Sequence, residues 1–304
     1  MLKGYLLANI VDENDRRRAE SIWKHRTRDL QELGKDEDAD GIKAWLRSEY
    51  ADSIREKKRG AVSEDFDLIG TEFHRWVRDH EDRFGLTTSS DFLHFIDHDF
   101  TFYSQWYERL RNASTSLTPG LESVFFNAEH NFTLQYPVLL APLRVDDSEE
   151  ELLRKVRVTA AYIDILLYRR IWNQRAIDYG TMKYAMFLVI REIRGKDTSE
   201  LVSMLRQRLD SETETFVGNE HFRLHGMNGR QIHRLLARMT EFVETHSGTQ
   251  SRYVEYSRRG GRDGFEIEHV WADHYDRHED EFAHPNDFAE YRTGWWSSSV
   301  AKEL

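Results

Sequence analysis

The stretch EEELLRKVRVTAAYIDILLYRRIW, residues 149–172, decides the fold class of this chain. Its apolar side chains recur every three or four positions, so they fall on one side of a helix of about five turns. The residues of this stripe are Leu152, Val156, Ala160, Ile163, Leu167 and Ile171. A stripe of this length and period predicts an amphipathic α-helix that buries one face in a core.

The same period recurs on both sides of this stretch. Further helical stripes are predicted from the amino terminus toward Trp23, over 42–57, near 73–77, 92–96 and 103–110, and over 181–193, 199–209 and 231–245. Only 4 Pro occur in the 304 residues, which leaves room for long helices. The sequence therefore predicts a mainly α fold with an all-helical body from Met1 to about Gln250. The acidic stretch 36–41 is expected to be a loop.

A basic cluster, residues 55–59, precedes Gly60. Because Gly60 is a typical residue after a helix, the cluster is predicted to end the helix over 42–57, where cations stabilise the helix dipole. Contact with phosphate groups is the alternative interpretation.

Composition excludes several classes of protein. Hydrophobic residues make up 39% of the chain and aromatic residues 12%, which is enough apolar material for a packed core. The absence of cysteine excludes disulfides and thiolate zinc sites. No signal peptide and no apolar run of about 18 residues is present, so we expect a cytoplasmic protein without membrane spans. The net charge of −11 means that any contact with nucleic acid must be local or must involve bridging metal ions.

The pattern changes near Gln250. Residues 258–264, RRGGRDG, form a basic loop rich in glycine, and residues 265–271, FEIEHVW, then alternate apolar and polar side chains as a β-strand does. We therefore expect a short β element in a last region over 251–304. Two helical regions, over 1–145 and 146–250, are expected to precede it.

Histidines are concentrated in this last region. His269, His274, His278 and His284 lie among many carboxylates, and imidazole together with carboxylate suits divalent metal ions. A solvated acidic loop is the plain alternative, and an unrelated metal-dependent hydrolase is another. His269 stands at the end of the predicted strand, where a histidine can be oriented as a general base or can simply pack beside Trp271.

Several segments resemble one known family. Residues 265–292, from FEIEHVWADH to DFAEYR, resemble the start of the nuclease domain of GmrSD-type, modification-dependent restriction endonucleases of bacteria. Residues 2–7, LKGYLL, are similar to the segment that follows the ParB-like domain of that family. Residues 69–76, IGTEFHRW, and 132–137, FTLQYP, are similar to its helical middle region. The resemblance thus spans the chain as far as Arg292.

The resemblance implies a nuclease built on a ββα His-Me finger, also called an HNH module. It implies that His269 is the general base and that Glu268 is a ligand of a divalent metal, Mg²⁺ or Mn²⁺. The partner would be DNA, and we expect Arg258, Arg259 and Arg262 to contact its phosphates because they directly precede the nuclease segment.

The chain departs from the family pattern in two places. The Asp-Gly-Gln-Gln-Arg motif of the ParB-like domain does not occur. After Arg292 the chain reads TGWWSSSVAKEL, without the two asparagines of the family's finger. We therefore expect an incomplete finger, poor packing after Arg292 and little or no DNA cleavage. A helical module that binds a partner protein without catalysis is the remaining alternative.

Overall fold

The computed structural model describes residues 2–217, 228–260, 264, 265 and 267. The chain divides into two compact units, one over 1–215 and one over 216–304. The division into two units does not test the three regions expected from the sequence, 1–145, 146–250 and 251–304, and these stay predictions.

The described part of the chain is helical and contains no strand, which confirms the mainly α fold. The first unit contains α1 (Leu2–Ala8), α2 (Glu13–Leu33), α3 (Glu37–Tyr50), α4 (Asp65–Asp79), α5 (Ser89–His94), α6 (Thr101–Thr115), α7 (Glu122–Glu129), α8 (Gln135–Leu140), α9 (Glu149–Trp172), α10 (Tyr179–Ile193) and α11 (Thr198–Ser211). A 3₁₀ turn (Glu81–Phe84) precedes α5, and a π-helical segment (Phe95–Phe100) joins α5 to α6. The second unit contains α12 (Gly229–His246) and α13 (Tyr253–Tyr256). The predicted β element lies, apart from Phe265 and Ile267, outside the described residues.

Helix α9 of the first unit packs against α7, α8 and α11. Its predicted stripe is buried, since Val156, Ala160, Ile163 and Leu167 are fully inaccessible. Burial extends beyond the stripe to Lys155, because neighbouring helices pack on more than one side of α9. The helix is therefore more deeply buried than one amphipathic face predicts.

Aromatic rings form much of the remaining core. Trp45 of α3 stacks on Tyr103 of α6 with ring centroids 5.5 Å apart, and Trp23 of α2 stacks on Phe100 at 4.4 Å. Burial of such large rings is a major source of stability in a helical body. No helix among the described residues has the length and apolar character that crossing a membrane requires.

The predicted helix at the amino terminus is wrong as a continuous element. Asp12 interrupts it, because its carboxylate accepts hydrogen bonds from the backbone N–H of Asn14 and Asp15, both at 2.9 Å. Asp12 is thus the N-cap of α2, and α1 ends four residues earlier.

The predicted boundaries of α3 are also wrong. The stretch expected to be a loop forms its first turn, where Glu37, Asp38 and Asp40 interact favourably with the helix dipole. The helix ends at Tyr50 rather than near Lys57. The chain leaves the helix there because carboxylates of α4 accept hydrogen bonds from the following backbone.

The end of α3 also changes the interpretation of the basic cluster at 55–59. These residues lie on an exposed loop between α3 and α4. The prediction that they stabilise a helix C-terminus is therefore wrong.

Candidate nucleic-acid interface

The structure places some of the predicted site residues and not others. Arg258 and Arg259 follow α13 and are both exposed to solvent. His269, Glu268 and Arg262 lie outside the described residues, as do the other three histidines of the sequence cluster, His274, His278 and His284. The two placed arginines, Arg258 and Arg259, belong to the second unit.

The basic loop over 258–264 is closed at its base. The backbone N–H of Phe265 donates a hydrogen bond to the carbonyl oxygen of Arg258 at 3.0 Å. Two glycines make this closure possible. Gly260 adopts a φ of 75°, and any Cβ at Gly264 would collide with the backbone of Gly260. The loop therefore begins and ends at one place, with Arg258 and Arg259 at its start.

Arg259 lies against the first residue of α12. A Cβ placed on the buried Gly229 would stand 3.2 Å from Nη2 of Arg259, so the guanidinium covers the amino end of this helix. The first turn of α12 contains no acidic residue, and Asn228 provides no side-chain cap. An arginine and a helix N-terminus both attract anions, and phosphate groups are the usual ligands of such a combination.

Helix α12 adds further positive charge at this end. Arg230 is exposed in its first turn, and Arg234 and Arg238 follow at intervals of four, which places the three on one side of the helix. The carboxyl half instead carries Glu241 and Glu244. Sequence analysis missed Arg230, although its spacing from the two later arginines was a visible signal.

Phe265, where the nuclease-like segment begins, is attached to the two helices. A ring nitrogen of His233 on α12 lies 3.0 Å from the carbonyl oxygen of Phe265. The Phe265 ring contacts Tyr256 of α13 edge-on, with centroids 5.2 Å apart. His233 is buried, and nothing in its sequence context distinguished it from an ordinary core residue. These contacts hold the start of the segment on α12 and α13.

One group of side chains in the first unit has the composition of a metal site. His94, His98 and Asp99 place their ligand atoms within 4.8 Å of one another. The two imidazole rings stack at 4.3 Å, and Nδ1 of His98 lies 3.0 Å from Oδ1 of Asp99. Imidazole with carboxylate suits zinc-like ions better than Mg²⁺, which prefers oxygen ligands. The group is distinct from the sequence-predicted ligand Glu268.

Comparison of the chain with protein-family models, with curated proteins and with solved structures finds no match.

Proposed function

We propose that this chain is part of a cytoplasmic DNA endonuclease of the GmrSD type, acting on DNA phosphodiesters through a His-Me finger. The observation that carries the proposal is the basic end of α12. Arg259 covers the helix N-terminus there, and the same helix holds Phe265, the first residue of the nuclease-like segment. The exposed Arg259 and Phe265, where the nuclease-like segment begins, therefore both lie against α12 in the second unit.

The proposed reaction is hydrolysis of a phosphodiester bond. His269 would accept a proton from a water molecule while the water oxygen forms a bond to phosphorus and the bond to the leaving oxygen breaks. A bound Mg²⁺ or Mn²⁺ would stabilise negative charge on the phosphate, with Glu268 as the proposed ligand. Both residues take these roles from the sequence resemblance alone.

The arginines have a separate role, which is to hold the DNA backbone. Arg230, Arg258 and Arg259 are exposed in the second unit, and each can pair with one phosphate. Three such contacts give a slope of log K against log salt concentration of about −2.7. Such a modest slope is expected of a protein whose net charge of −11 disfavours binding over its whole surface.

Binding of a DNA duplex at several salt concentrations tests the first half of the proposal. We expect Arg259→Gln to weaken binding and to reduce the salt slope by about one unit. Arg28→Gln is a matched control, because Arg28 is an exposed arginine on α2 in the first unit. A protein without measurable DNA binding, or equal binding by the two variants, would contradict the proposal and favour the alternative of a non-catalytic interaction module.

Nicking of supercoiled plasmid with Mg²⁺ or Mn²⁺ tests the second half. Any cleavage is expected to be slow and to disappear in His269→Ala. Cleavage that survives this substitution but is lost in a His274→Ala, His278→Ala double variant would refute the assignment. It would instead support a metal hydrolase that uses the later histidines.

A further inference from the structure

The first unit contains a pocket that the proposed nuclease chemistry does not use. It has a volume of about 390 Å³ and lies between α3, α4, α6, α8 and the start of α10. Cationic and aromatic side chains are prominent in its wall, among them Lys43, Arg47, Arg111, Tyr107, Tyr136 and Tyr179. Small-molecule sites commonly begin at about 300 Å³, so the pocket can hold an organic ligand of modest size.

Two segments singled out in the sequence meet at this pocket. The segment 69–76 contributes Gly70 to its wall, and the segment 132–137 contributes Tyr136 and Pro137. They are separated by more than fifty positions in the chain. Their convergence on one cavity is a property of the tertiary structure.

Most charges in the pocket are paired inside the protein. Glu37 accepts hydrogen bonds from Arg111, at 2.6 Å to Oε1 and 2.8 Å to Oε2, and from the hydroxyl of Tyr107 at 2.7 Å. Lys43 pairs with Asp40 at 2.9 Å. These four charged groups therefore cancel within the wall.

Arg47 is the exception. Its Nε donates to the carbonyl oxygen of Phe66 at 2.9 Å, and its guanidinium carbon lies 4.3 Å from the centre of the Phe66 ring. In the part of the chain that the structure describes, no carboxylate lies within 4.0 Å of this guanidinium. The nearby Asp67 is engaged by Lys183 at 2.7 Å. Burial lowers the pKa of Arg47, while Tyr179, which is hydrogen-bonded to it, and the more distant Asp67 and Asp40 oppose this decrease.

Gly70 of α4 lies directly against the guanidinium of Arg47. Any Cβ at Gly70 would collide with Nη2 of Arg47, so only glycine leaves room for the guanidinium in this position. Two residues later Glu72 departs from helical geometry, with φ −146° and ψ 40°. The pocket thus presents a positioned guanidinium with one positive charge more than its wall neutralises.

We infer that this pocket binds a phosphorylated ligand the size of a mononucleotide. The terminal nitrogens of Arg47 would pair with phosphate oxygens, because the planar guanidinium matches a phosphate with two parallel hydrogen bonds. The rings of Tyr107, Tyr136 and Tyr179 provide aromatic surface for a planar base. The inference concerns the first unit only and does not depend on the proposed nuclease activity.

Calorimetric titration of the whole chain with AMP, adenosine and inorganic phosphate tests this inference. We expect AMP to bind at least about tenfold more tightly than adenosine, because adenosine lacks the charge that Arg47 pairs with. Phosphate alone is expected to bind more weakly than AMP and to compete with it. Equal binding of AMP and adenosine, or of AMP and phosphate, or no binding of AMP at millimolar concentration, would overturn the inference.

Single substitutions test whether AMP binding depends on Arg47. Arg47→Gln should weaken AMP binding by about tenfold or more, whereas Arg28→Gln on the exposed face of α2 should leave it unchanged. Far-ultraviolet circular dichroism confirms that each variant is folded. Unchanged AMP affinity in folded Arg47→Gln, or loss of binding in Arg28→Gln, would refute the assignment.

Discussion

Replacing Glu49 with glutamine should remove a pH dependence from the stability of this protein. Glu49 lies near the end of α3, and its Oε1 is buried without a hydrogen-bond partner. Burial raises the pKa of this carboxyl from 4.5 to about 8, and the nearby Asp99 adds to the increase while Arg194 opposes it. The folded protein therefore keeps Glu49 protonated at neutral pH.

The sign and size of the effect follow from proton linkage. Between pH 5 and pH 7 the unfolded chain ionises Glu49 while the folded chain does not, so the unfolded state binds fewer protons and stability falls as pH rises. For these two pKa values the loss is about 2.5 kcal/mol over the two pH units, since one unit corresponds to about 1.4 kcal/mol. Stability from this group is fully present below pH 4.5 and is lost as pH rises toward 8.

Urea unfolding at pH 5, 6 and 7 measures the prediction. The free energy of unfolding of the wild type minus that of Glu49→Gln should fall by about 2.5 kcal/mol from pH 5 to pH 7, because glutamine does not titrate. Glu32→Gln, at an exposed position of α2, is the control and should show no such trend with pH. A difference between wild type and Glu49→Gln that stays constant over this range would refute the reasoning.

Three further predictions concern α9 and its surroundings, each measured by urea unfolding at pH 7. Lys155→Met removes the partner of Asp147, which lies 2.6 Å away in a buried ion pair. The substitution should lower the free energy of unfolding by about 3–5 kcal/mol, and a decrease of less than about 1 kcal/mol would contradict this. Ile163→Ala should cost about 2–5 kcal/mol because the side chain is fully buried, whereas Ile165→Ala, more than a third exposed, should cost clearly less. If the two variants lost the same free energy of unfolding, burial of the side chain would not determine the size of the loss. Ser148→Ala removes the N-cap of α9 and should cost about 1 kcal/mol, and no change would mean that solvent replaces the cap.

The helical class of the body could be predicted from sequence because helix periodicity is a local property. The predicted apolar stripe of α9 is buried in the structure. Helix ends were predicted less well. α3 ends at Tyr50 because carboxylates of α4 bind the backbone that follows it, and such long-range partners leave no periodic signal.

The structure describes only some of the residues predicted for the candidate site. Arg258 and Arg259 are exposed, and their contact with DNA phosphates, expected because they precede the nuclease-like segment, stays a prediction. The β element, His269, Glu268, Arg262 and the expected poor packing after Arg292 lie outside the described residues, so these stay predictions. The position of Arg259 over Gly229 could not be predicted, because a helix and a loop thirty residues apart meet there.

By itself the sequence determined that this chain is mainly helical, lacks disulfides and has a basic, glycine-rich stretch before a segment resembling a nuclease. Only the tertiary structure decided which charges pair. Glu37 and Arg111 lie 74 positions apart, yet they neutralise each other in one pocket and leave Arg47 without a close carboxylate among the described residues. The physical reason is that side-chain periodicity reports burial along one element. Electrostatic pairing depends instead on distances of a few ångströms that arise only when separate elements pack.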